Sequence, residues 1–397
     1  MPKVLRIINR FNLGGPTYNV AYLSKFMEPD YQTILVGGEK DESEDSSQFI
    51  LDKLGLAPII IQEMKREIDF KNDRIAYLKI RQLIREHKPD IVHTHASKAG
   101  TIGRLAARAE NVPVIIHTFH GHVFHSYFGK LKTLFYKNIE RFLALISTKI
   151  IAISEIQKNE LSEIHKITPK EKIEIVPLGF DLNKFRENTL EKRNLFREKY
   201  KLKEDTIAIG IIGRLVPIKN HELFLEAISF LQKTSKVKFK AFIVGDGELR
   251  QQIEISAKEK QIEFETPEHK NPSAVLVFTS WIKEVDFALS GLDIVALTSF
   301  NEGTPVSLIE AQAAGKPIAS TNVGGIENVV LKNKTALLSE INNPESFYAN
   351  LKTLLENSKL RQEMSELGWQ HVFQKFHYNR LVQDMKNLYD KLLMEKK

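Results

Sequence analysis

Along this chain, short runs of aliphatic and β-branched residues alternate with longer segments in which apolar positions recur every three or four residues. The runs KVLRII, QTILVG, PIIIQ, DIVHTH and VPVIIHT lack the strict apolar/polar alternation of a half-exposed strand. They predict strands covered on both faces. TYNVAYLSKFM and RIAYLKIRQLIREH carry a helical period and predict the helices between them. A second series begins near residue 205, with TIAIGIIG, HELFLEAISFLQK, KAFIVGDGE, LRQQIEISAKEK, AVLVFTS, DIVALTS and a helix after Pro305. Strand–helix alternation of this kind predicts a parallel sheet with crossover helices. The expected fold class is α/β, with two Rossmann-like, doubly wound parallel-sheet domains facing a central cleft and ligands held at the carboxyl ends of strands.

A Pro/Gly turn followed by a highly charged helical stretch separates the two series, which places the hinge at Pro177 to Asp181. The expected domains are 1–180 and 181–374. Beyond residue 345 the pattern is nearly all helical, and a last helix over about 375–397 is expected to pack back on the first domain.

A chain of 397 residues exceeds what one core usually supports, in keeping with two domains. There is no cysteine, which excludes disulfides, thiolate metal sites and a cysteine nucleophile. The N-terminal residues lack the apolar region of a secretory signal, and apolar stretches such as FLALISTKIIAIS are too short to span a bilayer. A cytoplasmic protein is expected. The net charge of +7 permits an anionic partner without naming one. Residues 111–154 hold five Lys/Arg (Lys130, Lys132, Lys137, Arg141, Lys149) against one acid, Glu140, so the excess there is local.

Candidate chemistry gathers in TSFNEGTPVSLIEAQAAGKP, which holds Glu302 and Glu310. Two carboxylates suggest a glycosidase acid and base, but helical geometry separates this pair by roughly 8 to 12 Å along the axis and points them differently. Hydrolase pairs flank one bond at about 5 to 9.5 Å. The segment offers instead a helix start, with Pro305 at its first position and Gly315 as its cap, whose amides at Gly303, Thr304 and Val306 suit an anion. The plain alternative is a capping acid and a solvated helix residue.

Arg214 and Lys219 follow a strand that ends at Gly213, in the turn before a helix. Two cations there suit a diphosphate, or are simply exposed loop charges. FIVGDGELR lacks the third glycine of a dinucleotide fingerprint, so Gly245 and Gly247 are read as structural. No Asp-x-Asp occurs, so a metal-bridged nucleotide-sugar site lacks its usual carboxylates.

Taken together, GRLxxxK, GDGEL and EGTPVSLIEAxAAGKPIASTxVGG closely resemble the donor domain of the GT-B retaining glycosyltransferases of family four, also called glycosyltransferases group 1. The resemblance implies a metal-independent enzyme, needing no cofactor, that moves a sugar from a nucleotide diphosphate sugar to an acceptor hydroxyl. It implies that Arg214 and Lys219 are the diphosphate cations, that Glu310 holds the ribose hydroxyls, and that Glu302 contacts the transferred sugar. The donor would occupy the second domain and the acceptor the first, closure about the hinge excluding water. Uridine is the base the family favours, held through backbone near Ile282, after the strand LVFTSW.

In the first half, Gly14 and Gly15 lie between the first strand and the first helix, where amides can approach a phosphate closely. The family has a Gly-Gly loop there. Six of the twelve histidines fall between residues 93 and 125. His117, His120, His122 and His125 raise the question of a metal site, but the loop offers no nearby carboxylate ligand and no metal is expected. His120 resembles the family's polar residue near the reacting sugar, while His93 and His95 match its common HTH strand end. His95 and His117 also read as core histidines.

Beyond them, Phe124, Tyr127, Phe128, Phe135, Tyr136 and Phe142 interleave with basic residues, a pattern that suits an anionic membrane surface or a helix with its aromatics in the core. No nucleic-acid signature is present. The expected partners are a nucleotide-sugar donor and a lipid-linked or saccharide acceptor, in cell-surface polysaccharide or glycolipid synthesis. Two rivals stand beside this reading: a nucleotide-sugar epimerase of the same architecture, which would act without an acceptor, and a non-catalytic sugar-nucleotide-binding protein.

Overall fold

The computed structural model describes residues 1–12, 15–40, 47–65, 67–121 and 130–396, the side chains of residues 130 and 131 excepted. The chain forms two compact units, Met1–Phe180 with Phe376–Lys397, and Asp181–Lys375.

The first unit holds strands β1 (Lys3–Arg10), β2 (Gln32–Gly38), β3 (Ile59–Ile60), β4 (Ile91–His95), β5 (Val114–Thr118), β6 (Lys149–Ala152) and β7 (Ile173–Ile175). Their order is β3-β2-β1-β4-β5-β6-β7. Every pairing is parallel. β4 and β5 are buried throughout, which is why neither alternates apolar with polar residues, and their carboxyl ends bury His93, Thr94, His95, His117 and Thr118. The run PIIIQ yields only a two-residue strand, because it is the edge of the sheet and Ile60 faces solvent. From β1 the chain winds outward to β3, then restarts on the other side at β4. The loops after β1 and β4 therefore diverge, leaving a crevice at their carboxyl ends.

The helix Tyr378–Met394 belongs to this unit. Phe180 N donates to Phe376 O (2.8 Å), Tyr378 N donates to Phe180 O (3.1 Å), and Arg380 donates to the carbonyls of Pro177 and Leu178. Its apolar face, with Leu381, Met385, Leu388 and Tyr389, shares one core with Val4, Ile91, Val114 and Ile151 of the sheet.

The second unit holds β8 (Ile207–Ile212), β9 (Phe239–Val244), β10 (Phe264–Glu265), β11 (Leu276–Ser280), β12 (Ile294–Leu297), β13 (Ile318–Thr321) and β14 (Ala336–Ser339). The order is β10-β11-β9-β8-β12-β13-β14, again all parallel. Here the winding reverses between β8 and β12.

Candidate active site

Most candidate residues of the second unit lie in the loops at that reversal. β8 runs out into Gly213, and Arg214 stands exposed in the following turn. Gly245 and Gly247 have no room for a side chain. A Cβ on Gly245 would lie 1.9 Å from Gly213 O and one on Gly247 2.5 Å from Leu215 O, so both let the β9 loop press against the β8 loop. A 3₁₀ turn, Pro217–Lys219, then carries Lys219, and Asn220 takes the left-handed conformation (φ 47°) that short polar side chains tolerate. The Lys219 carbonyl accepts from Thr298 Oγ1 (2.9 Å), and Phe300 N donates to Ile218 O (2.8 Å). The β8 and β12 loops are thus stitched together.

Across that seam Lys219 Nζ donates to Glu302 Oε1 at 2.5 Å, and Ser299 Oγ donates to the same oxygen at 2.6 Å. The cation and the acid read separately in the sequence form one ion pair, mostly shielded from solvent. Behind Glu302, Gly325 N donates to its carbonyl (2.8 Å), and a Cβ on Gly325 would lie 1.7 Å from Gly303 O. The Val-Gly-Gly run after β13 is therefore a wall of the site, required to be backbone only. Neither Ser299 nor Gly324 and Gly325 had been singled out as site residues, although all three lie in the stretches already quoted.

The helix start differs by one residue from the expectation. The helix is Val306–Ala313 and Pro305 is its N-cap, extended at ψ 99°, with its carbonyl accepting from Leu308 N (3.1 Å). Gly315, at φ +66°, closes the other end. The N–H groups of Gly303, Thr304 and Val306 have no acceptor among the described residues, and a Cβ at Gly303 would meet open space.

The carboxylate of Glu310, in the second turn, has no hydrogen-bond or ion-pair partner among the described residues. Burial pushes its carboxyl up to about 7, with Lys184 pulling it down and Asp286 pushing it up. An acceptor so placed is suited to ligand hydroxyls.

At the end of β11, Ser280 sits at φ 56°, held by Arg250, which donates to Ser280 Oγ (2.5 Å), and by Gly245 N, which donates to its carbonyl (3.1 Å). This turn carries Trp281, exposed, and Ile282, half-buried, out of the sheet.

In the first unit, Gly15 opens the helix Gly15–Phe26 after β1, while Gly14 lies outside the described residues. His95 ends β4, and His120 stands just past β5 with its Nε2 2.9 Å from His95 Nδ1. Burial pushes His120 down to about 4. His117 points elsewhere, bonded to Thr94 Oγ1 (2.8 Å) with its ring against Gly100, where a Cβ would approach to 2.5 Å. It is a core histidine. His122, His125, Phe124, Tyr127 and Phe128 lie outside the described residues. Among the described residues no group of three or more His, Cys, Asp or Glu is placed to hold a metal ion.

Known proteins share both sequence and fold with this chain. The profile for Glycosyltransferase Family 4 matches residues 14–184, and that for Glycosyl transferases group 1 matches residues 192–370. The Escherichia coli UDP-Gal:alpha-D-GlcNAc-diphosphoundecaprenol alpha-1,3-galactosyltransferase is 31% identical over 333 residues, 83% of each chain. The Staphylococcus aureus capsular polysaccharide biosynthesis glycosyltransferase CapM is 28% identical over 84% of each. A glycosyltransferase structure from Rickettsia africae superposes with a TM-score of 0.79 at 18% identity, covering 99% of this chain and 98% of that one. Anabaena Alr3699/HepE, solved with UDP, gives 0.79 at 15% identity over 98% and 100%. Two Rossmann-like units, two matching profiles and a relative of this similarity place the chain in glycosyltransferase family 4, the group 1 glycosyltransferases of GT-B fold.

Proposed function

We propose that this enzyme moves a hexosyl group, with retention and without a metal ion, from a UDP-sugar to a hydroxyl of a lipid-linked or saccharide acceptor, in the assembly of a cell-surface polysaccharide or glycolipid. The observation that carries the reading is the Lys219–Glu302 pair at the winding reversal of the second unit, beside the acceptor-free amides of Gly303, Thr304 and Val306. A diphosphate entering there would compete with Glu302 for Lys219, and the released carboxylate would accept from a sugar hydroxyl. Arg214, Lys219 and the amides would stabilise the charge that grows on the leaving diphosphate. Glu310 would accept from the ribose, and Ile282 would flank the base. The departing phosphate would take the acceptor's proton on the same face, so no protein base is required. Uridine is supported by the names of the E. coli relative and of the Anabaena complex.

A screen of UDP-sugars for UDP release, with and without undecaprenyl-diphosphate-linked saccharides, tests this. One donor should turn over only when acceptor is present, equally well in EDTA, and the product should keep the donor's anomeric configuration. An epimer formed without acceptor would install the epimerase reading. Tight nucleotide binding with no turnover of any donor would install the binding-protein reading.

A membrane partner is supported by the helix Lys130–Ile146. Its outer face exposes Leu134, Phe135, Phe142 and Leu145, and Lys137 and Arg141 lie on the same helix. We propose that this face rests on an anionic bilayer. No described helix is long and apolar enough to cross a membrane.

A further inference from the structure

β11 leaves its partner strand by a bulge. Leu276, Val277 and Phe278 pair in turn with Ala241, Phe242 and Ile243 of β9, but the next residue of β9, Val244, pairs with Ser280, so Thr279 is an extra residue in β11. Ser280 then takes a left-handed conformation (φ 56°), in which a Cβ crowds the following carbonyl oxygen. Bulge and reversed φ together turn the chain out of the sheet. They set the course of residues 281–284, which lead in neither strand nor helix to the helix Val285–Gly291. The main-chain N–H and C=O groups of Trp281, Ile282 and Lys283 have no partner among the described residues, so this turn is open to the hydrogen-bonding edge of a ligand.

Arg250, the first residue of the helix Arg250–Glu259, holds Ser280 in that conformation. Its guanidinium is fixed from several sides. Nε donates to Glu254 Oε1 (2.8 Å) and Nη1 to Asp246 Oδ2 (3.1 Å), the Glu268 carboxylate stands 3.7 Å from Nη2, and the group lies over the Phe278 ring, 5.7 Å from its centroid. Nη1 also donates to Ser280 Oγ at 2.5 Å. This charged bond, with the one from Gly245 N to Ser280 O (3.1 Å), opposes the return of Ser280 to an ordinary conformation. A glycine would need no such latch.

We infer that Arg250 is a positioning residue: through Ser280 it fixes the turn of Trp281, Ile282 and Lys283, whose main chain meets the base of the donor nucleotide. Its effect falls on donor binding rather than on the chemical step. This inference deepens the proposed function and rests on it only for the identity of the ligand at the turn.

The test compares Arg250→Gln, Ser280→Ala and Ser280→Gly in the full chain, by calorimetric titration with UDP and by donor kinetics. Arg250→Gln should weaken UDP binding at least about ten-fold and raise KM for the UDP-sugar as much, while kcat changes less than about three-fold. Ser280→Ala loses the bond and keeps the Cβ, so it should do the same. Ser280→Gly loses both and should recover most of that loss. In the glycine background Arg250→Gln should cost less than about three-fold. Unchanged UDP binding by Arg250→Gln, an equal loss in the serine and glycine backgrounds, or a loss confined to kcat overturns the inference. If Arg250→Gln does not fold, the order of the two Ser280 variants decides, since an ordinary turn tolerates alanine at least as well as glycine. Trp281 reads the turn with no ligand present: with Trp369→Phe removing the other tryptophan, Arg250→Gln should lower the fluorescence anisotropy of Trp281, and an unchanged value overturns the latch. If the natural chain binds no UDP, the nucleotide reading fails, while the latch still stands or falls on that anisotropy.

Discussion

Lys219 and Glu302 lie 83 positions apart and share one short hydrogen bond. Removing either leaves the other partly buried without its charge partner, so the pair opens at little cost only when something supplies a new partner to each. Under the proposed function that something is the donor. Lys219→Ala should lower kcat/KM by about two to three orders of magnitude, as loss of one electrostatic stabiliser does. Near-normal turnover would remove Lys219 from the mechanism.

Glu310 makes a prediction that needs no substrate. Its carboxyl, at about 7 in the folded chain and near 4.5 in the unfolded one, binds its proton more tightly when folded. Stability is then fullest below pH 4.5 and falls as pH rises through 7, by at most about 3 kcal/mol. Glu310→Gln stays neutral throughout, so the variant should gain on the natural chain between pH 5 and pH 8. The only two tryptophans, Trp281 and Trp369, lie in the second unit, so denaturation followed by their fluorescence reads this unit alone. Parallel stability curves across that pH range would show that burial of the carboxyl is not what the structure depicts. Lys219 and Glu302 were visible in the sequence because each stands in a strand-to-helix turn, and Glu310 because it lies on the helix that one of those turns opens. Their pairing was not, because Lys219 meets Glu302, and Arg6 meets His93 and Tyr389, through register between elements distant along the chain.

The helix Lys130–Ile146 shows the same limit one scale up. Its basic and aromatic composition was legible, but not which face turns outward. That is set by Glu140, buried and bonded to the fully buried Arg104 of the helix Ser97–Ala109 at 2.7 Å. With the acid drawn inward beside Leu143 and Ala144, the outward face is left to Leu134, Phe135, Phe142 and Leu145. Lys172, whose Nζ donates to Leu145 O (3.2 Å), adds a cation at the carboxyl end, where the helix dipole favours one. Each cation near an anionic surface contributes about 1 kcal/mol, and salt weakens it. The protein should therefore sediment with phosphatidylglycerol vesicles, less so in 0.5 M salt, and hardly at all with phosphatidylcholine. Phe135→Ser with Phe142→Ser should cut the bound fraction about ten-fold while leaving thermal unfolding in place, since both rings are exposed. Equal binding by the double variant would assign the attachment to another face.

For the molecule as a whole, the alternating strands and helices read correctly as two parallel α/β sheets, because strands covered on both faces announce themselves by composition. A last helix packed on the first domain was expected, but the 3.6-residue period of residues 378–394 does not say which residues of that domain its buried face meets. In the structure that face supplies Leu381, Val382, Met385, Leu388, Tyr389 and Leu392 to the first unit, and Tyr389 also bonds Arg6 and His93 beneath His95. Six such side chains at about 1.5–3 kcal/mol each amount to roughly 9 to 18 kcal/mol, as large as the whole stability of a domain. A chain ending at Phe376 should therefore keep the second unit and lose the first. Its tryptophan transition should stay within a few degrees of the full chain's, while far-UV circular dichroism shows a large part of the structure melting earlier or absent at 25 °C. Retention of a single transition at the original temperature by both probes would mean that the sheet of the first unit closes its core without the C-terminal helix.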